Sequence, residues 1–219
     1  MPYQSNPNTC VVFLVRHGAT LNNLADPPKI QGHGSDIDLS NDGKRQASRT
    51  AELLRNQPLA AVFSSPLRRA YQTATIIGQP HQLEPARIAD LREVDVGRWE
   101  GQSWRQIERA EPDAHARFAT DPATYGYAGG ENLTQLLTRV RPAIEQLMAT
   151  HLGQCLLVVG HNVVNRVLLA TYMQVPLALA RGIHQDNCGV NVLRYRAGQV
   201  KVLTANSAFH LQAAGQHPE

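Results

Sequence analysis

The stretch Val11-Val12-Phe13-Leu14-Val15-Arg16-His17-Gly18 decides the fold, because an apolar run stops abruptly at charged and turn-forming residues. Two other segments share this pattern: Leu59–Phe63 leads into Ser64-Ser65, and Leu156–Val159 leads into Gly160-His161-Asn162. Short, continuous runs rich in β-branched residues are typical of fully buried strands in a parallel sheet. The sequence therefore predicts three parallel strands, each ending in polar residues.

Helical periods alternate with these strands. Ser40 to Gln57 and Asn162 to Met173 each repeat apolar residues at helical spacing, and Asn132 to His151 has the clearest period. Pro142 is expected to kink or divide that last helix, because proline lacks an N–H group. Ser65-Pro66 is predicted to start another helix, as its N-cap and first residue.

This alternation predicts the fold class: an α/β three-layer sandwich with a largely parallel central sheet flanked by helices. Val190–Tyr195 and Gln199–Leu203 predict an additional C-terminal hairpin. Leu24–Asp38 and Glu111–Gly130 are broken by proline, glycine and aspartate, and are expected to form a small irregular lid. Since there is no internal repeat or linker, residues 1–219 are predicted to form a single domain.

Composition excludes several classes of protein. The 219 residues include 21 Lys+Arg and 18 Asp+Glu, giving a net charge of +3 with no block of like charges, which argues against a nucleic-acid partner. No apolar run approaches the ~20 residues of a membrane span, and the polar start is unlike a signal peptide. Three cysteines without metal-type spacing suit a reducing compartment. We therefore expect a cytoplasmic protein with no membrane partner.

The polar strand ends predict a phosphate site. Ligands of open α/β sheets bind outside the carboxyl ends of the strands, where Arg16-His17, the Ser64–Arg69 turn and His161 are expected to meet. Helix N-termini there supply free N–H groups, and arginine guanidinium groups match phosphate oxygens in pairs. Two histidines and two arginines in this arrangement indicate chemistry on a phosphoryl group.

The same residues carry a family resemblance. Arg16-His17-Gly18-Ala19-Thr20-Leu21-Asn22-Asn23 resembles the RHGxTxxN signature of the histidine phosphatase superfamily, in its phosphoglycerate-mutase-like branch. Ala19 replaces a frequent glutamate, and Gln31 to Leu39 is one residue longer than usual. Further stretches resemble family motifs in the same order: Ser64 to Ala74, Leu91 to Gly101, Gly129-Gly130-Glu131, Val158 to Asn162, and Asn206 to Leu211 as a closing strand.

The resemblance implies a role for each matching residue. His17 is expected to be the nucleophile that forms a phosphohistidine, and Glu93 the general acid that later becomes the base. Arg16, Arg69 and His161 are expected to clamp the phosphoryl oxygens. The implied substrate-binding residues are Asn23, Gln31, Gly32 and Asn162. No metal and no cofactor are expected, because arginines supply the positive charge.

Other residues keep alternative interpretations. Asp90, Asp95 and Glu100 are acidic alternatives to Glu93. Asp36 and Asp38 are interpreted as turn residues, and Arg68 as a solvated helix residue. Four aromatic residues either line the pocket or belong to the core: Trp99, Trp104, Tyr125 and Tyr127. The remaining histidines are assigned to the surface or to packing: His33, His81, His115, His151, His184, His210 and His217.

The predicted function is a metal-independent phosphomonoesterase acting on a small phosphorylated metabolite. A sugar phosphate, phosphoserine, ribazole phosphate and phosphoglycerate derivatives all suit relatives of this kind. The alternatives are a phosphoglycerate-type mutase and, with less support, a catalytically idle regulatory module. A metal-dependent hydrolase is disfavoured because no HExxH-type spacing occurs. Many members of the family form dimers, so a homodimer stays open beside a monomer.

Overall fold

A single six-stranded sheet organises residues 6–212, the range described by this computed structural model. The strands are β1 (Thr9–Arg16), β2 (Leu59–Ser64), β3 (Ala86–Arg87), β4 (Cys155–Gly160), β5 (Val190–Arg196) and β6 (Gln199–Ser207). Their order is β3-β2-β4-β1-β5-β6, in which β3, β2, β4 and β1 are parallel and β5 and β6 are antiparallel. The prediction of a largely parallel α/β sheet with a C-terminal hairpin is confirmed.

Helices connect the parallel strands. They are α1 (Leu21–Leu24), α2 (Asn41–Leu54), α3 (Arg68–Gly78), α4 (Trp104–Ala110), α5 (Pro112–Thr120), α6 (Leu133–Thr150) and α7 (Asn162–Tyr172). Side chains cap the starts of α2, α4 and α6: Ser40 accepts the Gly43 N–H, Ser103 the Gln106 N–H and Asn132 the Gln135 N–H. Within residues 6–212, no helix is both long enough and apolar enough to cross a membrane.

Apolar side chains fill both faces of the sheet. Alternate residues of a strand point to opposite faces, so Val12 and Leu14 of β1 pack with the buried residues of α6 and α7. Val11, Phe13 and Val15 pack on the other face, with residues of α2 and α3. The result is the three layers expected from the sequence.

Three parallel strands end at the same edge of this sheet. Arg16 at the end of β1 pairs with Gly160 of β4, and Ser64 of β2 pairs with Val159. Backbone hydrogen bonds continue past the strands, because the His17 N–H donates to the Gly160 carbonyl at 3.1 Å. The polar residues that follow each strand are thereby brought together.

Two glycines bring α2 against the loop that follows β1. A Cβ atom on Gly43 would overlap the backbone of Ala19, and one on Gly18 would lie 2.5 Å from the Gly43 carbonyl oxygen. Only residues without side chains allow this approach. The start of α2 therefore supports the loop directly from behind.

The predicted start of α3 is wrong. The helix begins at Arg68, while Leu67 is extended and Ser65-Pro66 lies outside the helix. The Ser65 hydroxyl accepts the Leu67 N–H, and the distant Asp36 carboxylate accepts the Arg68 N–H at 2.6 Å. Asp38 forms an ion pair with Arg68, so both aspartates do more than form turns.

Two predictions based on proline need correction. Pro142 does not divide α6, which runs from Leu133 to Thr150; its ring is exposed, and Val140 and Ile144 continue the buried face on either side. The predicted irregular lid contains α5, since Pro112 occupies the first turn, where a missing N–H costs nothing.

Two strand predictions need smaller corrections. β2 is only partly buried, because the two-residue strand β3 is all that flanks its outer side. The stretch Asn206 to Leu211 is not a strand throughout: β6 ends at Ser207, and Phe209–Leu211 forms a 3-10 turn.

Candidate active site

His17 lies at the carboxyl end of β1 with only 3% of its surface exposed. Its Nδ1 atom is 2.7 Å from the Gly18 carbonyl oxygen. A carbonyl oxygen only accepts hydrogen bonds, so Nδ1 carries the ring proton. The lone pair of Nε2 is then free to attack an electrophile.

The surroundings keep this imidazole uncharged. The pKa of His17 lies well below its usual value of 6.5, mainly because burial disfavours the charged ring. The positive charges of Arg69 and Arg16 lower the pKa further, while the hydrogen bond to Gly18 opposes them. His17 is therefore neutral at pH 7, as a nucleophilic imidazole must be.

His161 packs against His17 with a distance of 5.1 Å between the ring centroids. Its Nε2 atom lies 2.7 Å from the Ser65 hydroxyl oxygen, which already accepts the Leu67 N–H. That hydroxyl can donate its own proton to Nε2, which leaves the proton of neutral His161 on Nδ1. This buried Nδ1 atom has no hydrogen-bond partner within residues 6–212.

Two buried arginines stand near the histidines. Arg16 donates to the Gln185 carbonyl at 2.6 Å, and Arg69 donates to the carbonyls of Ser35 and Gly32 at 2.6 and 2.9 Å. Within residues 6–212 neither forms an ion pair, and the buried Nε atoms of both lack partners. Burial lowers the pKa of Arg16 to about 10, so it stays charged at pH 7. Anions suit this site.

Glu93 faces these groups from the segment before α4. Its Oε1 atom accepts the N–H groups of Val94 and Val164 at 3.0 and 3.2 Å, and Oε2 accepts that of Val163 at 3.2 Å. Burial raises the pKa of Glu93 above its usual value of 4.5, although these N–H groups and Arg69 oppose the shift. A raised pKa favours the protonated form that a general acid needs.

The acidic alternatives to Glu93 are engaged elsewhere. Asp95 accepts the Gly97 N–H at 2.8 Å, and Glu100 accepts the Gly32 N–H at 2.9 Å. Asp90 is exposed and, like Asp95 and Glu100, does not line the cleft beside His17. Glu93 is the acid that faces this cleft.

The cleft has a volume of about 350 Å³, a size suited to small molecules. The predicted site residues in its wall are Arg16, His17, Asn23, Gln31, Glu93 and Asn162. Arg69, His161 and Gly32 are not among the lining residues, and both backbone polar groups of Gly32 are used by Glu100 and Arg69. The cleft wall thus contains six of the nine predicted site residues, and Gly32 contacts two residues beside it.

Side-chain amides line the cleft next to His17. The Asn23 carbonyl oxygen accepts the Thr20 N–H at 3.0 Å, and the Gln31 carbonyl oxygen accepts the Thr20 hydroxyl at 2.8 Å. The amide nitrogen of Gln31 and the Asn162 carbonyl oxygen are buried without partners in the described chain. The Gln31 NH₂ group is therefore available to a ligand.

Of the four aromatic residues considered from the sequence, some line the cleft and others do not. Trp104 and Tyr127 line the cleft, whereas Trp99 is fully buried in the core and Tyr125 is 48% exposed. Apart from His17, no described histidine lines the cleft, and His217 lies outside the described residues.

Four polar residues of the cleft wall were missed in the sequence: Lys29, Arg166, Arg181 and Asn187. Arg166 could have been predicted from the sequence, because it lies one helical turn beyond the predicted site residue Asn162 on α7. Asn187 donates to the His17 carbonyl at 3.0 Å. Arg181 and Asn187 come from irregular segments, whose position depends on tertiary packing.

Metal ligands are not grouped in this structure. Among the described residues, no set of three or more His, Cys, Asp or Glu side chains is placed to hold a metal ion. The positive charge near His17 comes from Arg16 and Arg69.

Comparisons with known proteins agree with the motifs. The family model of the histidine phosphatase superfamily (branch 1) matches residues 12–208. Phosphoserine phosphatase 1 of Hydrogenobacter thermophilus is 30% identical across 80% of this chain and 83% of its own length. The metal-independent phosphoserine phosphatase of Arabidopsis thaliana is 33% identical across 93% of this chain and 84% of its own length. The solved structure of Bacillus stearothermophilus YhfR is 27% identical, covers 93% of this chain and 100% of its own, and has a TM-score of 0.85.

Proposed function

Because this chain belongs to branch 1 of the histidine phosphatase superfamily, we propose that it hydrolyses phosphate monoesters of small metabolites through a phosphohistidine on His17. Its phosphatase-named relatives match most of the chain, which supports a phosphoric monoester hydrolase. Phosphoserine, sugar phosphates, ribazole phosphate and phosphoglycerate derivatives are the candidate substrates.

One observation carries this proposal. Neutral His17 has a free Nε2 lone pair, and its neighbours His161, Arg16 and Arg69 each have a buried N–H group without a partner in the described chain. Those groups are the Nε–H of Arg16, the Nε–H of Arg69 and the Nδ1–H of His161. A buried donor without a partner is costly, and phosphoryl oxygens would satisfy all three.

In the first step, Nε2 of His17 attacks the phosphorus atom while the bond from phosphorus to the ester oxygen breaks. Glu93 in its protonated form gives its proton to the departing oxygen, so a neutral alcohol leaves. Arg16, Arg69 and His161 stabilise the charge on the nonbridging oxygens. The products are the alcohol, the phosphohistidine and the Glu93 carboxylate.

In the second step, the Glu93 carboxylate takes a proton from water as the water oxygen attacks phosphorus. The bond between phosphorus and His17 breaks, which releases inorganic phosphate and restores the neutral imidazole. Asn23, Gln31 and Asn162 hold the substrate in the cleft wall, while Gly32 orients Arg69 through its carbonyl group. The arginines supply the positive charge for both steps.

Replacement of the nucleophile tests this mechanism. We expect His17→Ala to abolish phosphate release and the acid-labile label that a phosphorylated substrate transfers to the protein. The fold is retained, as measured by circular dichroism. The matched control His81→Ala removes a histidine outside the cleft and keeps both signals. Undiminished turnover in His17→Ala would refute the assignment of the nucleophile.

The fate of the phosphoryl group separates hydrolysis from the mutase alternative. A phosphatase transfers it to water, whereas a mutase returns it to the substrate. Free phosphate and 3- to 2-phosphoglycerate conversion are measured with and without a bisphosphate primer. Robust conversion without phosphate release would replace hydrolysis by mutase activity, and loss of activity on chelation would favour a metal-dependent hydrolase.

Two further statements about the chain stay predictions: a single domain over residues 1–219 and a cytoplasmic location. A homodimer stays an open alternative to a monomer, and size measurement in solution decides between them.

A further inference from the structure

Three positive side chains in the cleft wall have no role in the steps above. Lys29 is exposed, whereas Arg166 and Arg181 are half-buried. None of the three forms an ion pair within residues 6–212. The cleft wall therefore carries three positive side chains that have no ion-pair partner in the described chain.

The nearest acid compensates for these charges only in part. Among the described residues, Glu93 is the one carboxyl group in the cleft wall, and both of its oxygens already accept backbone N–H groups. The pKa of Arg166 is lowered mainly by burial; Tyr127 and Glu93 oppose this shift, and the positive charge of Arg181 adds to it. Half-buried charges of the same sign destabilise a protein unless an anion binds between them.

The two arginines are held in place by other contacts. The Nε–H of Arg166 donates to the Ile183 carbonyl at 2.8 Å, which leaves its terminal NH₂ groups available. The Arg181 guanidinium lies 4.6 Å from the ring centroid of Trp104 and 5.0 Å from that of Phe118. Such stacking fixes the plane of a guanidinium group without using its donors.

Helix α7 sets the position of Arg166 relative to the reaction centre. Asn162 follows His161 directly, and Arg166 lies four residues further along the same face of the helix. Four helical residues correspond to a rise of about 6 Å. A group a few bonds from the esterified oxygen spans that distance.

We propose that Arg166 and Arg181, with Lys29 of the same cleft wall, form a second anion subsite. The preferred substrate then carries a carboxylate or a second phosphate group close to its phosphate ester. This inference rests on the proposed function. A carboxylate or a phosphate receives paired N–H donors from a guanidinium group, and the cleft volume of about 350 Å³ limits the substrate to a small metabolite.

Matched substrates test the subsite. Phosphoserine and phosphoethanolamine differ by one carboxylate, and fructose 1,6-bisphosphate and fructose 6-phosphate differ by one phosphate. We expect the wild-type protein to show a kcat/KM at least about tenfold higher for the anionic member of one pair, since that ratio corresponds to one well-placed charged contact. The pair that shows the preference identifies the second group as carboxylate or phosphate.

Variants locate the source of the preference. Arg166→Gln and Arg181→Gln are each expected to lower the ratio of the two kcat/KM values about tenfold, and Lys29→Gln to lower it less because Lys29 is exposed. Arg166→Lys keeps part of the preference. The control Arg194→Gln removes an exposed arginine of β5 outside the cleft and leaves the ratio unchanged. If Arg181→Gln does not fold, Arg166→Gln and Lys29→Gln decide the test.

The outcomes separate the two proposals. Equal kcat/KM values within both pairs, or an unchanged ratio in the variants, would overturn the second subsite and leave phosphatase activity intact. Absence of phosphate release from every ester would instead refute the proposed function.

Discussion

Two neighbouring histidines differ in the ring nitrogen that is free. His17 donates Nδ1–H to its own loop and leaves the Nε2 lone pair available, whereas His161 binds Ser65 through Nε2. Burial and Arg69 lower the pKa of both rings, so both are neutral at pH 7. In the proposed mechanism, hydrogen bonding rather than charge distinguishes the ring that attacks from the ring that donates a hydrogen bond.

Replacement of Glu93 tests the proton donor. We expect Glu93→Gln to lower phosphate release from alkyl phosphates about 10²- to 10⁴-fold, because an alkoxide leaves poorly without a proton. The initial burst with para-nitrophenyl phosphate is less affected, since its leaving group needs no proton. The control Glu108→Gln changes an exposed acid of α4 and leaves both rates intact.

The pH dependence of the same reaction gives a separate prediction. The pKa of Glu93 is raised from 4.5, so the active protonated form is lost as the pH rises through that raised pKa. We expect kcat/KM for alkyl phosphates to fall along this alkaline limb, and the limb to disappear in Glu93→Gln. A profile with no alkaline decline in the wild type would contradict the assigned role.

At the scale of elements, α6 positions the loop that carries Glu93. The Arg139 guanidinium donates to the carbonyls of Asp90, Arg92 and Glu93 at 2.7, 2.8 and 2.9 Å. Glu131 forms an ion pair with Arg139 and accepts the Asp95 N–H. This explains the Gly129-Gly130-Glu131 motif as a support for the loop that carries Glu93, not as part of the cleft wall.

Substitution of Arg139 tests this support. We expect Arg139→Met to lower kcat at least about tenfold and to move the alkaline limb of the pH profile, because loss of these bonds frees the Glu93 loop. A purely structural role would change stability without moving the limb. Arg139→Lys restores part of the activity, and the control Arg141→Met removes only an exposed ion pair with Glu145 on the same helix.

At the scale of the whole molecule, buried neutral histidines make stability depend on pH. The folded pKa values of His17 and His161 lie well below 6.5, so the unfolded chain binds more protons at acidic pH. Their contribution to stability is complete above pH 6.5 and is lost as the pH falls through that value. The loss is about 1.4 kcal/mol per pH unit for each histidine.

Urea unfolding at several pH values measures this effect. We expect the free energy of unfolding to decrease between pH 7 and pH 5, and His161→Gln to reduce the slope. An identical slope in that variant would show that His161 takes up its proton equally in both states.

The sequence predicted the elements with local signals and missed those set by distant contacts. The apolar runs before His17 and His161 located the strands, and the motifs around them named residues that line the cleft, such as His17 and Asn162. The start of α3 depends on Asp36, which is remote in the sequence. Arg181 reaches the cleft by stacking on Trp104, and no local sequence pattern predicts that contact.

The N–H groups of Val163 and Val164, at the start of α7, donate hydrogen bonds to the Glu93 carboxylate. In the proposed mechanism, these hydrogen bonds have opposite effects on the two half-reactions. They stabilise the carboxylate, so they make Glu93 a better donor when the alcohol departs. The same stabilisation reduces its basicity when water must be deprotonated. Burial shifts the balance in the opposite direction. A change in the first turn of α7 that speeds one half-reaction is therefore bound to slow the other.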